Sequence, residues 1–213
     1  MLIQEDLTKK LPVKNLDLSY KLQLQLRGFI VIDNFLPAKI CHALRGTALG
    51  EEFVHTHYAN GYKATDFDGL SRLKMDPDLI KFIEKRVPFL EKLNYHRAWS
   101  FVYDEQGPGV KPHADPSTYN VNLWVTPDEC VYDKNKNGMI VYKKKAPEDW
   151  TWQDYNSNNE LIEKHLEGAK YAKIPYRNNR AIIFKGDTFH QTDSVHMKPG
   201  SINRRINYTF LFN

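Results

Sequence analysis

Gly109-Val-Lys-Pro-His113-Ala-Asp115-Pro-Ser117 decides how this chain is read. On extended backbone, residues i and i+2 share a face, so the His113 imidazole and the Asp115 carboxylate can grip one metal ion. A third ligand is offered 75 positions beyond Asp115, by His190 in Phe184-Lys-Gly-Asp-Thr-Phe-His190-Gln-Thr-Asp193. Two histidines and one carboxylate on one side of an ion leave three coordination positions open.

With eight histidines in 213 residues, a His-x-acid string arises readily by chance, and His165-Leu-Glu167 is one. It lies in Asn159-Glu-Leu-Ile-Glu-Lys-His-Leu-Glu-Gly168, where Leu161, Ile162 and Leu166 have helical spacing and Gly168 suits a C-cap. On a helix, i and i+2 point roughly 200° apart, so His165 and Glu167 cannot share an ion.

The surroundings of His113 are strand-like. Arg97–Tyr103 reads as a strand, and Gly107-Pro-Gly109 turns the chain into the His-x-Asp segment. Tyr119–Thr126 alternates polar and apolar residues, and Asn137-Gly138 is a turn signal before Met139–Tyr142. Tyr171–Tyr176, Arg180–Phe184 and Arg204–Phe212 follow. Seven or eight short strands with Gly, Pro, Asn and Asp between them predict a sandwich or jelly roll. In the last strand, Arg204, Ile206, Tyr208, Phe210 and Phe212 share one face; Arg205, Asn207, Thr209 and Leu211 share the other. The second face sets a guanidinium and two hydrogen-bonding side chains where a roll interior would hold a polar ligand, and a guanidinium suits a bidentate carboxylate.

His-x-Asp, a long gap, His, and Arg near the C-terminus together resemble the Fe(II)/2-oxoglutarate-dependent dioxygenase superfamily, which uses such a facial triad. Gly28-Phe-Ile-Val-Ile-Asp-Asn-Phe-Leu36 followed by a helix resembles how many of its members begin, so the likeness runs from about Gly28 onward. Asn122–Glu129, Asn137–Tyr142, Ala146–Trp150, Ile174–Arg177, Asn179–Phe184 and Arg204–Asn207 together look like a bacterial and phage group of 2-oxoglutarate oxygenases similar to prolyl hydroxylases. Arg205-Ile-Asn207-Tyr-Thr209-Phe also looks like the ending of AlkB-like demethylases, but those carry a further Arg where this chain has Leu211.

The resemblance implies a mainly β fold with α support: a double-stranded β-helix, itself a jelly roll, with N-terminal helices. It implies Fe(II) held by His113, Asp115 and His190, and 2-oxoglutarate held at its far carboxylate by Arg205, 15 positions after His190. Tyr103 stands where related enzymes place a tyrosine reaching 2-oxoglutarate, and Asn207 shares the polar face. With O2 as cosubstrate, the products are succinate, CO2 and an oxidised substrate. Asp115 stands where related halogenases have a small residue that admits chloride, which favours hydroxylation or demethylation. Two alternatives are a cupin-like metal-binding jelly roll without 2-oxoglutarate turnover and a nucleic-acid oxidative demethylase.

At 41% hydrophobic and 13% aromatic, the chain can bury a core without disulfides. We expect one domain over 1–213, with helical support over about 1–95 and the roll over about 96–213. Leu36–Leu44 and Asp76–Val87 read as helices, the second with Asp76 as cap and Pro77 in its first position. Cys41 and Cys130 have no paired spacing and read as free thiols of a reducing compartment. Met1–Lys10 lacks signal-peptide character and no run approaches 18 apolar residues, so a cytoplasmic protein without membrane attachment is expected. The net charge of +4 comes from scattered basic residues without a recognition motif, which ranks a small molecule or amino-acid residue above nucleic acid as substrate. Arg177 and Arg180 read as surface charges, and His55-Thr-His57 lacks a nearby third ligand. Trp150-Thr-Trp152-Gln-Asp-Tyr155 has no amphipathic period and is expected as a loop anchor, a substrate lid or a dimer contact.

Overall fold

The computed structural model describes residues 16–50, 56–58, 61–70 and 73–213. The start at Met1–Lys10 and His55 lie outside them. In chain order, α1 (Leu16–Arg27), β1 (Phe29–Ile32), α2 (Ala38–Leu49), β2 (Thr56–Tyr58), β3 (Tyr62–Phe67) and α3 (Pro77–Arg86) come first. Then follow β4 (Tyr95–Tyr103), β5 (Gln106–Gly107), β6 (Tyr119–Trp124), β7 (Met139–Lys145), α4 (Trp152–Asn156) and α5 (Asn159–Leu166). The chain closes with β8 (Tyr171–Ile174), β9 (Ala181–Lys185), β10 (Thr188–Thr192), β11 (Val195–His196) and β12 (Ile206–Phe212).

The strands form an antiparallel seven-stranded sheet, ordered β1-β9-β6-β12-β4-β3-β2, and a smaller sheet, ordered β10-β7-β8. The β11–β5 ribbon joins the ends of β4 and β10. β12 is central, and every residue in it is buried. Its parity is as the sequence predicts. Ile206, Tyr208, Phe210 and Phe212 pack with Leu79, Ile83 and Leu90 on the helical side, whereas Arg205, Asn207 and Thr209 are buried polar residues of the inner face. Each fully buried ring on the helical side is worth about 1.5–3 kcal/mol. The Tyr208 hydroxyl donates to the Leu44 carbonyl at 2.8 Å and ties α2 to the sheet.

α3 forms as expected. The Asp76 side chain accepts from Asp78 N at 2.8 Å, Pro77 occupies the first turn, and Leu79, Ile80, Phe82 and Ile83 line one buried stripe. On the other side of the large sheet, Trp124, Ile182 and Phe184 meet Met139, Val141 and Ile174 of the smaller sheet. Two packed sheets with helices outside the larger one make the predicted jelly roll with α support.

Two expectations need correction. The support before residue 95 holds more than helices and the short strand that Gly28–Asp33 reads as, which forms as β1: β2 and β3 also lie there and widen the large sheet beyond β4. The His113 segment is not a regular strand but a single antiparallel bridge to His190. Pro112 and Pro116 flank it, and proline cannot donate to a ladder.

Candidate active site

His113, Asp115 and His190 converge: one ligand atom from each lies within 4.8 Å of the others, the one such cluster among the described residues. Backbone pairing sets this meeting. His113 N donates to His190 O at 3.0 Å, and His190 N donates to His113 O at 2.9 Å. Asp115 N donates to Gly186 O at 2.9 Å, in the turn between β9 and β10. That approach requires glycine: a Cβ on Gly186 would stand 2.0 Å from the Ser117 carbonyl oxygen.

The donor atoms are ready for a cation. His113 Nδ1 lies 2.7 Å from Lys111 O, and His190 Nδ1 lies 3.1 Å from Thr188 O. A carbonyl only accepts, so Nδ1 carries the proton in each ring and Nε2 of the neutral imidazole keeps its lone pair. Burial, with His113 alongside, pushes His190 well below the ordinary imidazole range, which keeps it neutral. Its Nε2 faces Asp115 Oδ2 at 3.5 Å, and His113 Nε2 faces Oδ1 at 3.8 Å. Burial raises the Asp115 pKa, opposed by His113 and by the Asn120 hydrogen bond. Lone pairs and a carboxylate facing one another in a buried place suit a bound cation. The residues present therefore fit a divalent metal.

A second set of contacts holds the ligands in place. Asn120 Nδ2 donates to Asp115 Oδ2 at 2.7 Å, and Ser117 Oγ donates to Asn120 Oδ1 at 2.5 Å. The insertion grips Ala114, between two ligands: Ala114 N donates to Tyr155 O, and Asn156 Nδ2 donates to Ala114 O, both at 2.9 Å. Trp150 and Tyr155 pack with Ala114, Ile162, Leu166 and Phe189, so they are anchors. Trp152, half exposed, lines the mouth of the cavity instead.

That cavity, about 490 Å³, holds the triad and runs over the inner face of the large sheet. Tyr103 and Asn207 line it, along with Asn122, Thr192 and Thr209. Arg205 lies behind them, 1% exposed and outside the cavity lining. Its Nε donates to Asn137 O and its Nη1 to Asn207 Oδ1, both at 2.8 Å, and its guanidinium carbon stands 4.5 Å from the Tyr103 ring centre. Nη2 has no hydrogen-bond partner among the described residues. Arg204 turns outward to Asp104.

Comparison with protein-family profiles and with curated proteins finds no match. Solved structures do match, over nearly the whole chain. HygX from Streptomyces hygroscopicus, a structure with nickel and 2-oxoglutarate bound, is 9% identical with a TM-score of 0.62, covering 94% of this chain and 87% of that chain. SnoK from nogalamycin biosynthesis, a non-haem α-ketoglutarate-dependent carbocyclase, is 12% identical with a TM-score of 0.64, covering 94% and 84%. A Pseudomonas putida prolyl-4-hydroxylase is 12% identical with a TM-score of 0.54, covering 92% and 97%. The fold is that of the 2-oxoglutarate- and iron-dependent oxygenases. Identity this low leaves the chemistry of this oxygenase-like fold to be argued from its own residues.

Asn120, Asn122 and Asn156 are site residues that the sequence reading did not single out. Asn120 and Asn122 had a signal: they share parity on β6 with Trp124, on the face that Val121 and Leu123 do not use. Asn156 had none, because its contact depends on where the insertion lands. His57 is exposed on β2 and is not part of the triad's cluster. Arg177 and Arg180 both pair with Asp33; Arg177 is the surface charge expected, whereas the Arg180 side chain is largely buried. No helix among the described residues is long and apolar enough to cross a membrane.

Proposed function

We propose that this chain is an Fe(II)- and 2-oxoglutarate-dependent dioxygenase that hydroxylates a small molecule or an amino-acid residue. The buried convergence of His113, Asp115 and His190, with both Nδ1 protons committed to backbone carbonyls, carries the proposal. When bound, the metal and 2-oxoglutarate supply an O2-derived oxidant and release succinate and CO2. The protein's share is placement. His113, Asp115 and His190 hold the metal from one side, and Asn120 fixes the direction of the carboxylate. Asn207, oriented by Arg205, and the hydroxyls of Tyr103 and Thr192, 3.0 Å apart, offer donors to the far carboxylate of 2-oxoglutarate. The Arg205 guanidinium, stacked behind Tyr103, adds the positive charge that such an end requires. Phe184 packs its ring 4.6 Å from the ring of His190 and keeps water from that side of the ligand.

The polar row on β12 favours this reading over a cupin-like metal site, which would have no use for a buried arginine backing the row. Incubation with Fe(II), 2-oxoglutarate and O2, with succinate detected, tests turnover. A calorimetric titration of the Ni(II)-loaded protein with 2-oxoglutarate tests the cosubstrate site alone. Absence of both signals would overturn the proposal.

A further inference from the structure

Across the inner face of the large sheet, side-chain chemistry changes in one direction. The central strands carry amides and hydroxyls: Asn120 and Asn122 on β6, Asn207 and Thr209 on β12. The outlying strands carry rings: Trp99, Phe101 and Tyr103 on β4, Tyr62 on β3 and Tyr58 on β2. Register accounts for the grouping, because Tyr62 pairs with Tyr103, Ala64 with Phe101 and Tyr58 with Tyr62. Tyr58 and Tyr62 stack with centroids 4.8 Å apart, and Tyr62 meets Phe101 at 5.8 Å. Tyr103 is buried in a small apolar cluster against which Tyr62 and Phe101 pack, yet the outer rings keep a face toward the cavity. Tyr58 is 46% exposed, Tyr62, Trp99 and Phe101 are half-buried, and all four line the open cavity.

The cavity's lining is cationic. Arg97 and Lys111 are its basic lining residues, and the one acidic lining residue, Asp115, belongs to the triad. Arg97 is far from saturated: its Nη2 stands 3.4 Å from Asp66 Oδ2, long for a charge-assisted bond, and its Nε is buried without a partner. Lys111 makes no ion pair among the described residues. Arg97 also cannot serve the cosubstrate end. It pairs with Leu211, whereas Tyr103 N donates to Arg205 O, so six residues, or about 20 Å of strand, separate the two arginines. Asn120, which holds Asp115, pairs with Leu211 just as Arg97 does, so Arg97 stands across the sheet from the triad while Arg205 lies toward the other end of the strands.

We infer that the β2–β3–β4 side of the cavity binds a small organic anion with a flat ring face, the ring resting on Tyr62, Trp99 and Phe101 and the anionic group drawn to the cavity's two basic residues, Arg97 and Lys111. The inference rests on the oxygenase reading and names the substrate class for the same site. Ring faces and aromatic side chains associate through apolar area and the ring quadrupole, and a partly desolvated cation adds charge selection. Ala64, the smallest residue of the row, leaves room above the sheet between Tyr62 and Trp99. The Tyr62 hydroxyl stays neutral, pushed up to about 12 by burial, so the platform adds no repelling charge.

The test uses protein loaded with redox-inert Ni(II) and saturated with 2-oxoglutarate, so that the probe cannot simply chelate the metal. Phenyl phosphate and glucose 6-phosphate are titrated against phenol, glucose and 2-phenylethylamine, following tryptophan fluorescence and ligand-observed NMR. At least one of the two phosphates should bind at least tenfold more tightly than its neutral parent and than the amine; which one does identifies an aromatic or a sugar ring. Arg97→Gln should cut that preference to threefold or less, and Lys111→Gln, at an exposed position, should reduce it several-fold even if Arg97→Gln misfolds. Equal binding of neutral or cationic probes, or no probe binding while 2-oxoglutarate binds normally, would overturn the inference. Failure of 2-oxoglutarate to bind the Ni(II) protein would overturn the oxygenase reading first, and with it the assignment of this end to a substrate.

Discussion

Asn120 points its amide nitrogen at Asp115, 2.7 Å from Oδ2, and takes a hydrogen bond from Ser117 on its own oxygen. The carboxylate therefore cannot rotate freely, and one of its roughly four lone-pair sites is occupied before any ion arrives. Asn120→Ala should weaken Ni(II) or Mn(II) binding by about 10–100-fold, the usual effect of losing such a support. Calorimetric titration measures it, and an unchanged affinity would show that Asp115 needs no partner.

Arg205 and Arg204 are neighbours with opposite surroundings, one sealed behind Tyr103 and Asn207, the other paired with Asp104 at the surface. Arg205→Ala should abolish 2-oxoglutarate binding, a loss on the order of 2–5 kcal/mol, while metal binding survives. Because its side chain also fills space beside Trp124 and Tyr176, Arg205→Lys is the gentler variant. It keeps the charge but loses the planar fork, and should bind 2-oxoglutarate at least tenfold more weakly. Arg204→Ala should bind it nearly normally.

The two tryptophans of the insertion should part ways in a denaturant titration. Trp150 packs against Phe189 with ring centres 6.2 Å apart, so Trp150→Ala should cost about 2 kcal/mol, roughly half the price of a fully buried ring. Trp152 is half exposed, and Trp152→Ala should stay within about 0.5 kcal/mol of the parent. Equal losses would mean that both are anchors.

Asp33 joins β1 to the loop before β9 through Arg180, at 2.6 and 3.0 Å, and through Arg177 at 2.8 Å. The Arg180 hydrogen bond and the two guanidinium charges hold its pKa below the usual carboxylate range. A depressed folded-state pKa stabilises the fold fully above the unfolded value of about 3.9 and loses that stabilisation as pH falls through the folded value. With the side chain about a third exposed, the contribution is below about 1 kcal/mol. The gap in urea midpoint between the parent and Asp33→Asn should be constant from pH 7 to 5 and close below pH 4. A gap that widens on acidification would contradict the pairing.

Much of this was legible because period-2 patterns survive folding. The alternation in Arg204–Phe212 placed Arg205, Asn207 and Thr209 inward, and Asp76-Pro77 marked the start of α3. The ligands were legible because their side chains define the chemistry wherever the backbone runs. β2 and β3 were not. Thr56-His-Tyr58 is short, and Tyr62–Phe67 mixes Lys, Thr and Asp among its rings, so neither shows the apolar alternation of a half-buried strand. Their strand character comes from pairing with β4, a tertiary event. The depth of Arg205 was also hidden, since parity gives a face and not a distance from the cavity wall.

His113 and His190 exchange both of their backbone hydrogen bonds, so the two imidazoles are brought together by the chain itself. An ion arriving there finds its seat already set and has little of the chain to order. The stabilisation it adds should then follow its concentration, as for any ligand of a finished fold, rather than switching the fold on as in a zinc finger. A chelator should lower the melting temperature without unfolding the protein. The emptied chain should be refillable with a different divalent ion, so that one preparation can be studied with two metals in turn.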